Sequence, residues 1–308
     1  MNIKHNLIII LFGCLLLSNQ KTSACDLCGC GNGGSFWGIM PQSHRAFIGL
    51  RYGQKSYDSH FNSPNTQTHE DFWKTELWAR VFPFKKVQVL AFIPYNFNRQ
   101  TIIKTGKILD LRGIGDVSTF VHYNLLNTIT DTIPHKFYHN LLIGGGVKLP
   151  TGKYDYDLYS DVEVANPNFQ LGTGSTDFMV NIVYTLKYKA WGLNYDFSYK
   201  INTQNSNEYR FGNRINTNLS ALYFVGIGSN ITLIPNIGLA YESSELDEKF
   251  GIRNSTTGGD VLMGSLGIEG YFKKISMGVN YQKPISQHLS NGELRANNHL
   301  NLHFTLMI

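Results

Sequence analysis

The last eleven residues, Asn298-His299-Leu300-Asn301-Leu302-His303-Phe304-Thr305-Leu306-Met307-Ile308, decide the fold. Every even position from Leu300 to Ile308 is apolar, and the positions between are mostly polar. Successive side chains of a strand point to opposite faces, so this segment reads as a strand with one greasy and one wet face. From about residue 45 onward the chain repeats that pattern, about ten alternating positions and then a polar break. Twelve strands are predicted, at roughly 45–54, 71–82, 86–97, 115–125, 138–149, 176–188, 190–201, 212–225, 229–242, 260–271, 274–284 and 298–308. Long connections follow strands one, three, five, seven, nine and eleven. Those after strands two, six, eight and ten are only a few residues, as at Pro83-Phe84-Lys85 and Phe272-Lys273.

Outer-membrane barrels alternate long outer loops with short periplasmic turns in this way. A soluble β-sandwich also has alternating strands. Its strands average nearer five or six residues, however, whereas about ten suits a strand tilted across a bilayer. The fold class is therefore all-β, an antiparallel transmembrane β-barrel of about 12 strands over residues 45–308. It belongs in the outer membrane of a Gram-negative bacterium, and an even strand count puts both termini in the periplasm.

Residues 1–24 read as a signal peptide. Lys4 and His5 form a short basic start, Leu7 to Leu17 is apolar apart from Gly13 and Cys14, and Thr22-Ser23-Ala24 resembles a small-residue cleavage site. No later stretch approaches the roughly 18 apolar residues of a spanning helix. Aromatic residues make up 13% of the chain and charged residues 16%, against about a quarter charged in soluble domains. A lipid-facing outer surface with aromatic girdles accounts for both. The formal charge is only +5, part of it carried by Lys4 and Lys21 of the leader. So small an excess argues against a nucleic-acid partner. The expected partners are outer-membrane lipid, the barrel-assembly machinery and a small-molecule solute.

If the apolar face meets lipid, the other face lines a lumen. That assigns Lys74, Glu76, Arg80, Asp196, Lys200, His299 and His303 as lumen-lining residues, with Asn194, Ser198, Asn216, Asn218 and Ser220 beside them. Such a lining favours a water-filled or hydrogen-bonded interior. Twelve strands enclose more space than the eight that side chains alone fill, so the barrel holds a narrow polar pore or is blocked by an inward-folded loop. The connection Thr151 to Ser175 carries Asp155, Asp157, Asp161 and Glu163. It lacks the spacing and central glycine of a calcium loop, and reads as a solvated acidic loop partly folded into the pore.

Residues 25–44 form a Cys- and Gly-rich periplasmic segment that opens Cys25-Asp26-Leu27-Cys28-Gly29-Cys30. Three thiolates at this spacing suit one soft ion, copper(I) or zinc, handed over by a periplasmic metal-delivery protein. Two other readings stand beside it: a disulfide in an oxidising compartment, and acylation of Cys25, since Thr22-Ser23-Ala24-Cys25 loosely resembles a lipoprotein cleavage box. No histidine follows Cys28 directly, which argues against c-type haem. Neither Gly-x-Ser-x-Gly nor His-Glu-x-x-His occurs, and no catalytic residue is assigned.

Four segments carry a resemblance: Gly113-Ile114-Gly115-Asp116, Gly146-Val147-Lys148-Leu149-Pro150-Thr151-Gly152-Lys153, Leu171-Gly172-Thr173-Gly174-Ser175-Thr176-Asp177-Phe178, and Tyr209-Arg210-Phe211-Gly212-Asn213-Arg214. Their succession over residues 110–225 resembles the outer-membrane transporter family of the meta-pathway phenol-degradation-like type. The resemblance implies a transporter barrel. The glycines and Pro150 in these segments read as strand ends and turns. The expected function is an outer-membrane channel or transporter passing small solutes passively through a polar lumen. The alternative is a closed barrel that presents Cys25, Cys28 and Cys30 for metal capture.

Overall fold

A computed structural model describes residues 45–61, 67–129, 131, 133–155 and 167–308. The leader, the three cysteines, and Asp157, Asp161 and Glu163 lie outside these described residues. Twelve strands form one closed ring: β1 (Phe47–Ser59), β2 (Thr68–Phe84), β3 (Val87–Ile102), β4 (Ile108–Ile114, resuming at Ser118–Asn127), β5 (Tyr138–Lys148), β6 (Asp177–Tyr188), β7 (Trp191–Ile201), β8 (Arg214–Tyr223, resuming at Val225–Ile227), β9 (Ile231–Ser244), β10 (Gly259–Phe272), β11 (Ile275–Leu289) and β12 (Leu294–Ala296, resuming at His299–Met307). Each strand pairs antiparallel with the next. The ring shuts where β12 meets β1, in register from Phe47↔Met307 to Gln54↔Leu300. Ile308 N–H donates to the Ala46 carbonyl at 2.9 Å, so chain entry and exit sit together, at the end with the short turns.

The period of two is visible directly in burial. Along β12, His299, Thr305 and Met307 are buried, while Leu302, Phe304 and Leu306 are exposed. The same holds around the ring: Ile48, Leu50, Ile93, Phe178, Val180, Leu219, Ile237 and Leu266 all face outward. An outer surface of this kind is stable only against an apolar medium.

Several strands run further than alternation predicts. β1 reaches Ser59, β3 reaches Ile102 and β11 reaches Leu289. The connection after β3 therefore shrinks to residues 103–107, and β4, expected from about residue 115, begins at Ile108 and pauses over residues 115–117 between its two pieces. Pro83 and Phe84 belong to β2, and the turn is Lys85-Lys86. Two other turns begin with Lys189 (φ 52°) and Lys273 (φ 51°), the left-handed backbone that tight hairpins use to match strand twist. Rings stand beside these lysines: Lys189 Nζ lies 5.4 Å from the half-buried Tyr188 ring and Lys273 Nζ 5.5 Å from the exposed ring of Phe272. At the opposite end, Tyr209–Arg210, Glu248–Lys249 and Ile252–Arg253 make a small separate sheet.

Candidate functional site

The barrel interior collects the chemistry. Lys74, Glu76, Arg80, Asp196, Lys200, His299 and His303 all occupy inward positions of their strands, and all but the half-buried Lys74 and His303 are buried. They form separate small sets rather than one continuous lining. Glu76 is held by Arg51, whose Nε donates to Oε2 at 2.9 Å, and by Lys74 Nζ at 3.5 Å. Arg80 donates to the Arg45 carbonyl from Nε (3.2 Å) and Nη2 (2.9 Å). His303 Nε2 is 2.9 Å from Glu269 Oε2. Asp196 lies 3.4 Å from Asn181 Nδ2, and Asn181 Oδ1 is 2.6 Å from His122 Nε2. The His299 ring sits 5.9 Å from that of Tyr57.

The interior is not uniformly wet, contrary to the expectation from its polar residues. A run of rings crosses the inner wall from β1 to β4: Phe47–Trp78 at 4.5 Å, Trp78–Phe92 at 6.2 Å, Phe92–Phe120 at 6.2 Å and Phe120–His122 at 5.9 Å. With Leu90, Leu142, Met179, Val183 and Met307, the rings of Phe47, Trp78, Phe92 and Phe120 make an apolar cluster towards the short-turn end. Arginine caps it, Arg51 lying 5.0 Å from the Trp78 ring and Arg80 4.7 Å from that of Phe47, where a guanidinium gains from the ring face. Room for the rings comes from β5. A Cβ on Gly146 would lie 2.7 Å from Phe120 Cδ1, and one on Gly144 2.6 Å from His122 Cδ2.

Towards the other end the loop after β5 turns inward. Pro167, Asn168 and Phe169 form a buried 3-10 turn, and Phe169 packs with Tyr57, Phe72, Val261, Met263, Leu289, Leu294 and Ala296. Inward amides of β3 fasten it: Asn98 Nδ2 donates to the Phe169 carbonyl at 2.8 Å and Asn96 Nδ2 to that of Leu171 at 3.1 Å. Residues 167–173 of this loop are thus buried inside the barrel, as an inward fold requires, whereas Leu149, Pro150, Thr151, Lys153 and Asp155 at its start are exposed.

The segments that carry the family resemblance converge on the base of this loop. Lys148 Nζ donates to Asp116 Oδ2 (2.6 Å), to the Ser175 carbonyl (3.0 Å) and to Thr173 Oγ1, and lies 3.0 Å from Asp177 Oδ2. Asp116 also accepts from Gly152 N–H (3.0 Å) and Thr173 N–H (2.9 Å). Asp177 reaches Lys200 at 3.3 Å. Gly152 and Gly172 touch backbone to backbone, since a Cβ on Gly152 would lie 2.8 Å from Gly172 Cα. The fourth segment docks alongside through Asp247, which accepts from Tyr209 Oη (2.6 Å) and Gly212 N–H (2.7 Å); burial pushes the Asp247 carboxyl up from the ordinary aspartate range. This Asp116–Lys148–Asp177–Lys200 cluster is a latch for the inward loop.

Of that latch, only Lys200 was assigned as a site residue from sequence. Arg51 and Lys148 are not among the assigned residues, although alternation along β1 and β5 turns both inward and is the signal that could have found them. Among the described residues, no three His, Cys, Asp or Glu side chains gather to hold a metal ion.

By sequence, no family model and no curated protein matches the chain. Solved structures do. A crystal structure of an outer-membrane channel from Pseudomonas putida F1 superposes with a TM-score of 0.60 at 16% identity, covering 86% of this chain and 96% of that one. The β domain of the Bordetella autotransporter BrkA gives 0.51 at 7% identity, over 86% of this chain and 100% of the other. The transport unit of the autotransporter AIDA-I from Escherichia coli gives 0.50 at 8% identity, over 88% and 92%. At these identities the likeness is one of fold: this chain has the closed antiparallel barrel of outer-membrane proteins.

Proposed function

We propose that this protein is a channel in the outer membrane of a Gram-negative bacterium, with both termini periplasmic, passing small solutes through an interior narrowed by the loop after β5. One observation carries the reading: a closed ring with an apolar outer band keeps paired charges and a latched loop inside. Buried charge is costly and gives a purely structural membrane barrel no advantage. The Pseudomonas putida structure, described as a channel, supports the same reading. The resemblance to the meta-pathway phenol-degradation-like transporters agrees with it but names no solute. Outer-membrane lipid meets the outward face, and the assembly machinery inserts the barrel.

Purified protein in planar bilayers tests this. Discrete ion-conducting steps are expected. Replacing Arg80 by Glu should shift ion selectivity towards cations, because Arg80 sits on the inner wall. A barrel that never conducts would instead favour the second reading, metal capture by Cys25, Cys28 and Cys30. That reading rests on the three-thiolate spacing of Cys25, Cys28 and Cys30 in the sequence. Intact mass spectrometry of reduced mature protein with copper(I) or zinc tests it. One retained ion supports the site, whereas an acylated Cys25 removes it.

A further inference from the structure

The short-turn end carries one sign of charge. Its turns hold Lys85-Lys86, Lys136, Lys189 and Lys273-Lys274, all exposed, with the half-buried Lys187 beside them. Among the described residues, the one exposed acidic side chain at this end is Asp131, and His135 Nε2 holds it at 2.9 Å. At the opposite end cations stand against carboxylates: Arg99 on Asp110 (2.8 Å), and Arg210 (2.7 Å) and Arg253 (3.3 Å) on Glu248. The lysines of the short turns also rise from a belt of rings. Phe84, Phe137, Trp191, Tyr223 and Phe272 are between 41% and 71% exposed. Rings so exposed at the edge of an apolar outer band mark the boundary between hydrocarbon and headgroups. The ammoniums lean on this belt and its neighbours. Lys187 Nζ lies 4.5 Å from the Phe224 ring and Lys136 Nζ 5.7 Å from that of Phe137, besides the Lys189 and Lys273 contacts given above. A lysine whose stem lies along such a ring carries its charge at the depth of the lipid phosphates.

We propose that this rim binds anionic phospholipid, its lysines taking headgroup phosphates while the exposed rings lie along the upper acyl chains. A ring of like charges repels itself, and an anionic leaflet supplies the counter-charge. That attraction is short-ranged, falling off over about 8 Å at physiological ionic strength, so it needs cations at headgroup depth. An acidic protein offers the charge but not the contact with rings at the edge of the lipid-facing band. The inference rests on the membrane reading of the outward face and not on conduction. In the orientation proposed above, the rim meets the periplasmic leaflet.

The test reconstitutes the full-length protein into phosphatidylcholine vesicles doped with spin-labelled phosphatidylglycerol or spin-labelled phosphatidylcholine. The motionally restricted fraction of each probe is then measured. At low salt the phosphatidylglycerol probe is expected to enter the restricted shell about twofold or more over the other. In roughly 1 M salt, where charges act over only about 3 Å, the preference should fall towards parity. Combining Lys85→Gln, Lys86→Gln, Lys273→Gln and Lys274→Gln should remove most of it, whereas the same four changes to Arg should keep it. Arg99→Gln and Arg253→Gln, at the other end, should leave it unchanged. Heat-modifiable gel mobility reports whether each variant is folded; should the fourfold Gln variant not fold, Lys273→Gln with Lys274→Gln should remove part of the preference. Equal restriction of the two probes, or a preference that survives the Gln replacements, would overturn the rim. Inorganic phosphate that abolishes the preference where sodium chloride of the same ionic strength does not would replace lipid by a free anion. Poly-L-glutamate bound without any lipid preference would give the rim to an acidic protein instead. No restricted component for either probe would overturn the membrane reading itself and the rim with it.

Discussion

Lys148 gathers four partners at one atom. Its ammonium faces Asp116 and Asp177 together while satisfying Thr173 and the Ser175 carbonyl. Removing one partner of a buried ion pair costs about 3–5 kcal/mol, because the remaining charge is left uncompensated. Lys148→Met leaves Asp116 without a cation and Asp177 with Lys200 alone, and unfastens the loop base. The expected outcome is a lower unfolding midpoint in urea together with larger, noisier single-channel currents; an unchanged current would mean that the loop stays in place without its latch. Gly146 exerts a steric control of the same local kind. A valine there overlaps the Phe120 ring, and overpacking of this sort costs about 1–3 kcal/mol. Gly146→Val should lower the unfolding free energy by that amount with the loop latch unaffected, so the current noise should stay at the parental level.

Individual strands show how far the sequence could be read. All twelve were legible where an apolar outer face alternates with a polar inner one, as in Leu219, Ala221 and Tyr223 against Asn218 and Ser220 on β8. Legibility failed where both faces turn polar. On β1 the stretch Lys55-Ser56-Tyr57-Asp58-Ser59 stays paired with β2 and with Leu294–Ala296, but its outward residues no longer carry an apolar mark. The outer piece of β4 was missed for the same reason, since Asp110 and Arg112 face outward there. Of the site, inward charges could be assigned by period alone. Their partners could not, because Lys148, Asp116 and Asp177 meet only once strand register is set. The change in outer-face chemistry along a strand gives a prediction. Leu219→Arg places a cation against the apolar band and should cost roughly 2–4 kcal/mol in lipid vesicles, whereas Ser56→Arg, beyond the band, should cost roughly 0–1. Equal costs at both sites would contradict the assignment of the band.

For the whole molecule the asymmetry between ends is the governing property. One end carries short lysine-led turns, the chain entry and Ile308; the other carries the inward loop and the small sheet. A single orientation in the membrane follows. In intact cells, Ser255→Cys on the long-connection side should react with a membrane-impermeant maleimide above the background of the parent protein, and Lys273→Cys should react only after the outer membrane is breached. The reverse result would invert the barrel.

The seam between β12 and β1 has a kinetic consequence. Phe47 pairs with Met307, so two edges separated by almost the whole described chain must find one another before either is satisfied. Until then each is an unpaired strand edge, ready to add a strand from another molecule. Contacts of such long sequence separation form late and slowly, because the entropy of bringing distant segments together is lost before any bond is gained. Sealing of the ring is therefore expected to be the last event of folding, and a chain lacking the residues around Phe304 should accumulate as an open, aggregating sheet rather than as a smaller barrel.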